Sequence, residues 1–155
     1  MTWTTGHDTI TGLIAAGHLA RIVGDAANGD YLLDQGRQRL ASARLIAETD
    51  PVGSFELAYD GIRQAAVALL AQQGLRAKIE GGHAGTSQAV RAQFGHEFDW
   101  FDTMRRLRNQ LEYPQSPADM FIDGGDLTAA LDYAGRIIAA AEQLIPSLTI
   151  WQPTP

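Results

Sequence analysis

The side chains with the most chemical content lie between residues 100 and 115. Trp100, Phe101, Met104, Leu107 and Leu111 recur at helical spacing and form an apolar stripe. On a wheel of about 100° per residue, Arg108 falls inside that stripe, about 40° from Met104. Glu112 flanks it, Arg105 and Asn109 lie further round, and Tyr113 is opposite Met104. A buried charge without a partner is costly, so a guanidinium placed there must pair or line a cleft. Two chemistries follow. Arg108 pairs with Glu112 one turn on, or with Asp60 of a neighbouring helix, and fixes helix register. Alternatively it binds phosphate in a cleft, with Arg105 and Arg106 as further contacts rather than a solvated face.

A second candidate is the stretch Gly81-Gly82-His83-Ala84-Gly85-Thr86, reached through Lys78. Glycines ahead of a helix start let backbone N–H groups approach an anion, with Lys78 and His83 as ligand-binding candidates. The stretch lacks the spacing and the Lys-Ser/Thr ending of a P-loop, and its other reading is a connector with Thr86 as the helix N-cap. His7, His18, His83 and His96 are scattered, with neither HxH nor HExxH, so no metal site and no cofactor are expected. Ser54, Thr86 and Ser87 have no nucleophile-elbow context. Asp99 and Asp102 read as a solvated acidic face, and Asp123 and Asp126 as carboxylates at a helix start.

Composition removes whole classes of function. There is no cysteine in the 155 residues, which excludes thiol catalysis, disulfide scaffolds and zinc knuckles. Net charge is −6, and this speaks against bulk binding of duplex DNA, which needs a basic footprint. Eleven of the twelve basic residues are Arg. Any RNA contact is therefore expected to be local and short. The N-terminal residues lack the pattern of a signal peptide, and no apolar run reaches the length of a membrane span, so a cytoplasmic setting without membrane contact is expected.

Helical periodicity dominates, and no segment alternates with period 2 for long enough to make a convincing strand. The spacing predicts a helix over 9–22, capped by Asp8 or Thr9, as part of an N-terminal arm over 1–29. A bundle over 30–146 follows. Its helices are expected at 30–49, 53–73 with Gly74 at the C′ position, 87–94, 97–113 and 126–144. The tail over 147–155 reads as loose unless Trp151 docks. The fold class is all-α: an up-and-down bundle of four to five helices with a short N-terminal helical arm.

Two stretches go further than generic helix. One runs from Ala58-Tyr59-Asp60-Gly61-Ile62-Arg63 through Ala65–Ala71 to Gly74-Leu75-Arg76. The other is Met104-Arg105-Arg106-Leu107-Arg108-Asn109-Gln110-Leu111-Glu112-Tyr113-Pro114. Together they resemble core helices of HEPN domains, over about residues 30–146. The resemblance implies a compact helical bundle, usually dimeric. It also implies an Arg, a polar residue and a following His at the dimer interface, which cleave RNA without metal through the 2′-OH. Carried over, Arg108 is the motif Arg and Asn109 the polar residue. Where His should stand, this chain has Tyr113, Pro114 and Gln115, with Glu112 just before them, and no His follows His96.

That departure bears on the chemistry. His passes protons near neutral pH, Tyr113 is a poor base there, and an adjacent Arg would lower the pKa of Glu112. The leading expectation is a HEPN-like module without the standard ribonuclease site. It would bind a nucleotide, RNA or a protein partner through the Arg108 cleft, as a homodimer. A nucleotidyltransferase of a toxin–antitoxin-type system is the partner that the resemblance implies. One alternative is a metal-independent endoribonuclease in which Arg108, followed by Asn109, stabilises the phosphorane and Tyr113, Glu112 or His83 handles protons, with Arg105, Arg108, Lys78 and His83 as ligand-binding candidates. The other is a structural protein in which Arg108 is a buried ion-pair residue.

Overall fold

A computed structural model describes residues 3–78 and 82–154, for Gly82 and His83 the backbone alone. It is an all-α bundle with one small β-ribbon. The helices are α1 (His7–Ala15), α2 (Asp30–Ile46), α3 (Pro51–Gln72), α4 (Gly82–Phe94), α5 (Phe101–Glu112) and α6 (Gly124–Leu144). The strands are β1 (Leu19–Arg21) and β2 (Leu75–Ala77), and short 3-10 turns occupy Gly24–Ala26, Gly95–Phe98, Pro117–Met120 and Ile145–Ser147.

The centre is α3. Pro51 sits in its first turn, and the Asp50 carboxylate accepts from the Gly53 N–H at 2.9 Å, so the helix starts two residues earlier than its apolar spacing implies. Phe55, Ala58, Tyr59, Ile62, Ala65, Ala66, Leu69 and Leu70 are all buried, on more than one face. Helices α2, α4, α5 and α6 all pack on it. The α2–α3 crossing is close because it is built on glycines. A Cβ at Gly36 would stand 3.1 Å from the Gly61 carbonyl oxygen, and one at Gly61 equally near that of Gly36. Gly74 has φ +71° and ends α3, the left-handed role its position implied.

Several expectations are corrected. Helix α1 stops at Ala15, because Gly17 (φ +78°) turns the chain and residues 19–21 enter the ribbon instead. The pairing is antiparallel, with Leu19 opposite Ala77 and Arg21 opposite Leu75. Leu19 and Leu75 are buried, so tertiary packing, which a three-residue pattern cannot announce, makes these strands. Within residues 1–29, Ile10, Leu13 and Leu19 belong to the same buried cluster as the bundle.

Helix α4 begins at Gly82, where a glycine-rich connector was expected. Thr86 is therefore a buried helical residue and not an N-cap. The backbone N–H groups from Thr86 onward are committed to the helix, and the glycines at 82 and 85 lie in its first turn and not in a loop ahead of it. What holds this weak helix former is its buried face. Gln93 and Gln73 exchange amide hydrogen bonds at 2.7 and 3.0 Å, and Ala89 and Val90 are fully buried. Residues 79–81 of the expected loop lie outside the described residues.

The helix expected over 97–113 is shorter. Gly95 (φ +75°) opens a 3-10 turn through Phe98, and α5 starts only at Phe101. Phe98 and Phe101 are fully buried on either side of that break.

The tail is docked. Trp151 is 4% exposed, its backbone N–H donates to the Gln73 carbonyl at 2.8 Å, and His7 stacks on its indole with ring centres 5.0 Å apart. Arg21 donates to the Trp151 carbonyl at 3.2 Å, and His7 Nε2 lies 2.9 Å from the Gln152 carbonyl oxygen. The two ends of the chain thus clasp each other beside the ribbon. Trp151→Ala should lower stability by about 3 kcal/mol, read from the denaturant midpoint, whereas a loose tail would leave it unchanged.

Candidate functional site

A polar stripe interrupts the burial of α3. Gly53, Glu56, Leu57, Asp60 and Arg63 follow one another at helical spacing along one face. With Ile46 and Asp50 from the α2–α3 turn, Tyr59 below and Arg108 from α5, they wall a cleft of about 560 Å³. The size is within the range of small-molecule sites.

Arg108 stands at this cleft. Its guanidinium carbon lies 5.5 Å from the centre of the Tyr59 ring, and its Nη2 donates to Glu112 Oε1 at 2.9 Å. Both side chains of that pair are about one third exposed. Asp60 is taken by other partners. It accepts from Arg39 at 3.0 Å and from two nitrogens of Arg63 at 3.0 and 2.7 Å. Of the two partners weighed for Arg108, Glu112 is thus the one it meets, and the pair lies at the surface. Exposed pairs contribute about 0–1 kcal/mol.

A second knot of charge adjoins the first. Asp102 accepts from Arg91 at 3.0 Å and faces Arg105 Nε at 3.6 Å. Asp99 takes His96 at 3.1 Å and Arg91 at 3.5 Å. The hydrogen bond from His96, helped by Arg91, holds the Asp99 carboxyl below the usual aspartate range. The acidic pair at 99 and 102 therefore collects cations from α4 and α5. Arg105 Nε is buried and, among the described residues, makes no hydrogen bond within normal distance. Burial raises the Tyr59 phenol above its ordinary pKa, while Arg108, Arg105 and Arg63 pull it back. Of these guanidinia, that of Arg108 lies over the buried ring.

The other candidates scatter. Asn109 is exposed at its edge of α5, and Tyr113 is 71% exposed just beyond the end of that helix. Lys78 follows β2, its N–H bonded to the His18 carbonyl at 3.0 Å, and is not a wall of the cleft. The side chain of His83 lies outside the described residues. Arg63, Asp60 and Arg39 were not singled out as a cluster. The signal for them was the stripe Glu56, Asp60, Arg63 on a helix otherwise rich in alanine and leucine.

A second cavity, about 680 Å³, lies between α5 and α6. Met104, Leu107 and Tyr133 line it with the half-exposed Trp100, and Asp126, Asp132 and Arg136 complete its walls. Tyr133 donates to the Glu97 carbonyl at 2.7 Å, and burial pushes its phenol well above the ordinary tyrosine range. Among the described residues no cluster of three His, Asp or Glu is placed to hold a metal ion, and no helix is long and apolar enough to cross a membrane.

No family model, no curated protein and no solved structure matches this chain.

The geometry makes Arg108 separable from the fold. Arg108→Ala should cost at most about 2 kcal/mol in chemical denaturation, since its ion pair is exposed and its ring contact is of similar weight. A loss of about 3–5 kcal/mol would instead mark a buried ion pair that fixes helix register.

Proposed function

We propose that this protein is a HEPN-like helical module that binds a phosphate-bearing ligand, a nucleotide or RNA, at the cleft of Arg108. It works without the standard ribonuclease site. The observation that carries this reading is Arg108 itself: stacked on a buried ring, beside Arg63 at the same cleft, and held by a single surface carboxylate. A guanidinium so placed presents a planar fork to phosphate oxygens and gives up little to do so.

Absence of cleavage rests on proton transfer. Among the described residues no histidine is a wall of the cleft, and His96 is fully exposed beside Asp99. Tyr113 and Glu112, which stand where the family His would be, offer no neutral-pH base: one is a phenol and the other is bound to Arg108.

The experiment compares wild type with Arg108→Ala on a labelled single-stranded RNA in excess chelator. Wild type should bind, the variant should bind about tenfold more weakly or worse, and neither should leave 2′,3′-cyclic phosphate ends. Cleavage by wild type that disappears in the variant would make the protein an endoribonuclease with a non-standard base, and this reading would fall.

A homodimer goes with the same reading, as does a nucleotidyltransferase-type partner by resemblance. Favouring a covered face, Trp100, Tyr113, Met120 and Phe121 are all more than half exposed within 22 consecutive residues. A dimer interface that covers these side chains would remove exposed apolar surface from water, which supports this part of the reading. Sedimentation should give a dimer, and Trp100→Ala combined with Phe121→Ala should shift it to monomer; a monomeric wild type would remove the homodimer.

A further inference from the structure

Resting on the cleft reading, we propose that the ligand is a guanine nucleotide, with its phosphate on Arg108 and Arg63 and the Watson–Crick edge of its base on Glu56.

The cleft has walls of both signs. Three carboxylates, Asp50, Glu56 and Asp60, stand against two guanidinia, Arg63 and Arg108. They differ in how far they are committed. Both oxygens of Asp60 are taken, one by Arg39 and the other by Arg63. Asp50 holds the Gly53 N–H with Oδ1 at 2.9 Å. Arg63 gives two nitrogens to Asp60, and Arg108 gives one to Glu112, which leaves donors on both for a phosphate. Glu56 makes no hydrogen bond and no ion pair among the described residues. It is a cleft carboxylate with both oxygens open to a ligand.

The order along α3 separates the signs. Glu56, with Asp50 beyond it, lies toward the helix start. Arg63 lies two turns past Glu56 on the same face, about 10 Å along the axis. Arg108 enters from α5 over the Tyr59 ring. A ligand that is negative along its whole length is repelled at the Glu56 end. A ligand with an anion at one end and N–H donors at the other is matched at both. A nucleotide is built in that way, and the span is that of one nucleotide from its phosphate to the outer edge of its base. The acidic end is also where a base finds apolar surface. Leu57 adjoins Glu56, and the Ile46 carbonyl accepts from the Asp50 N–H at 2.7 Å, so both walls lie there.

An open carboxylate selects among the bases because it can only accept. Guanine presents two adjacent donors, N1–H and the N2 amine, with no acceptor between them. They meet the two oxygens of one carboxylate side by side. Adenine and cytosine set a ring-nitrogen acceptor beside their amine, and uracil flanks its one N–H with two carbonyls. Each of these offers Glu56 one good hydrogen bond at most.

The test is calorimetric titration of the full chain, at fixed ionic strength and pH 7.5, with the 5′-monophosphates of guanosine, inosine and adenosine. Inosine keeps N1–H and lacks only the N2 amine. The guanosine compound should bind about tenfold more tightly than either of the others. Glu56→Gln turns one acceptor into a donor at a side chain that is exposed and holds no other residue, so the fold is kept. It should weaken the guanosine compound about tenfold and leave the adenosine compound within about twofold. An oligouridine holding one guanosine, run alongside, tells whether the guanine belongs to a strand or to a free nucleotide, and its binding too should fall in Glu56→Gln. Equal affinity for the guanosine and adenosine compounds, or a Glu56→Gln variant that binds guanosine monophosphate as wild type does, overturns the inference. Arg108→Ala separates this inference from the reading beneath it, since it should weaken all three nucleotides alike. If it does so while either of those results holds, only this inference fails. If it leaves binding unchanged, or wild type binds none of the three, the cleft reading fails with it.

Discussion

Everything in this molecule is arranged around a helix that cannot be covered on all sides. Helix α3 buries apolar residues against four other helices, and its glycine contact with α2 brings the two backbones close. One strip of it, Glu56, Asp60 and Arg63, carries charges that no apolar neighbour can accept. That strip must stay wet or meet compensating charge. The fold does both: it opens a cleft along the strip and supplies Arg39 from α2 and Arg108 from α5.

The same constraint explains why the arginines cluster. Asp60, Asp102 and Glu112 are each answered by one or two guanidinia, so α2 is tied to α3 and α4 to α5 at their polar edges as well as through the core. Most of these pairs are partly exposed and contribute little to stability singly. Their consequence is electrostatic: charges of both signs are held close together at the cleft in a chain of net charge −6. Arg108 is the member least committed to structure, which is why it carries the functional reading.

Much of the architecture was legible because long apolar periodicities are hard to misread. The stripes of α2, α3 and α6 placed those helices within a few residues, and Gly74 and Asp123 marked an end and a start for plain stereochemical reasons. The failures have one cause. The ribbon at 19–21 and 75–77, the helix from Gly82, and the break between Gly95 and Phe101 are all short or weakly periodic. In the ribbon and in α4, burial of particular side chains overrides local propensity, Leu19 and Leu75 in the one and Gln93 on Gln73 in the other, and at the break the left-handed Gly95 (φ +75°) turns the chain. Trp151 belongs to the same class, since its dock is made by His7 and Gln73, far away in sequence.

By itself the sequence determined the helical class, the three longest helices, and the presence of a guanidinium at an unusual place on the helix of Arg108. Those follow from spacing and residue type, which act over a few turns. Only the tertiary structure decided that Arg108 meets Glu112 and the Tyr59 ring and that Asp60 belongs to Arg39 and Arg63. Likewise, it alone decided that the glycines at 82 and 85 lie in the first turn of a helix and not in a loop ahead of one. A helical wheel reports direction around one axis, whereas pairing and burial depend on which other helices lie in that direction and how near they come.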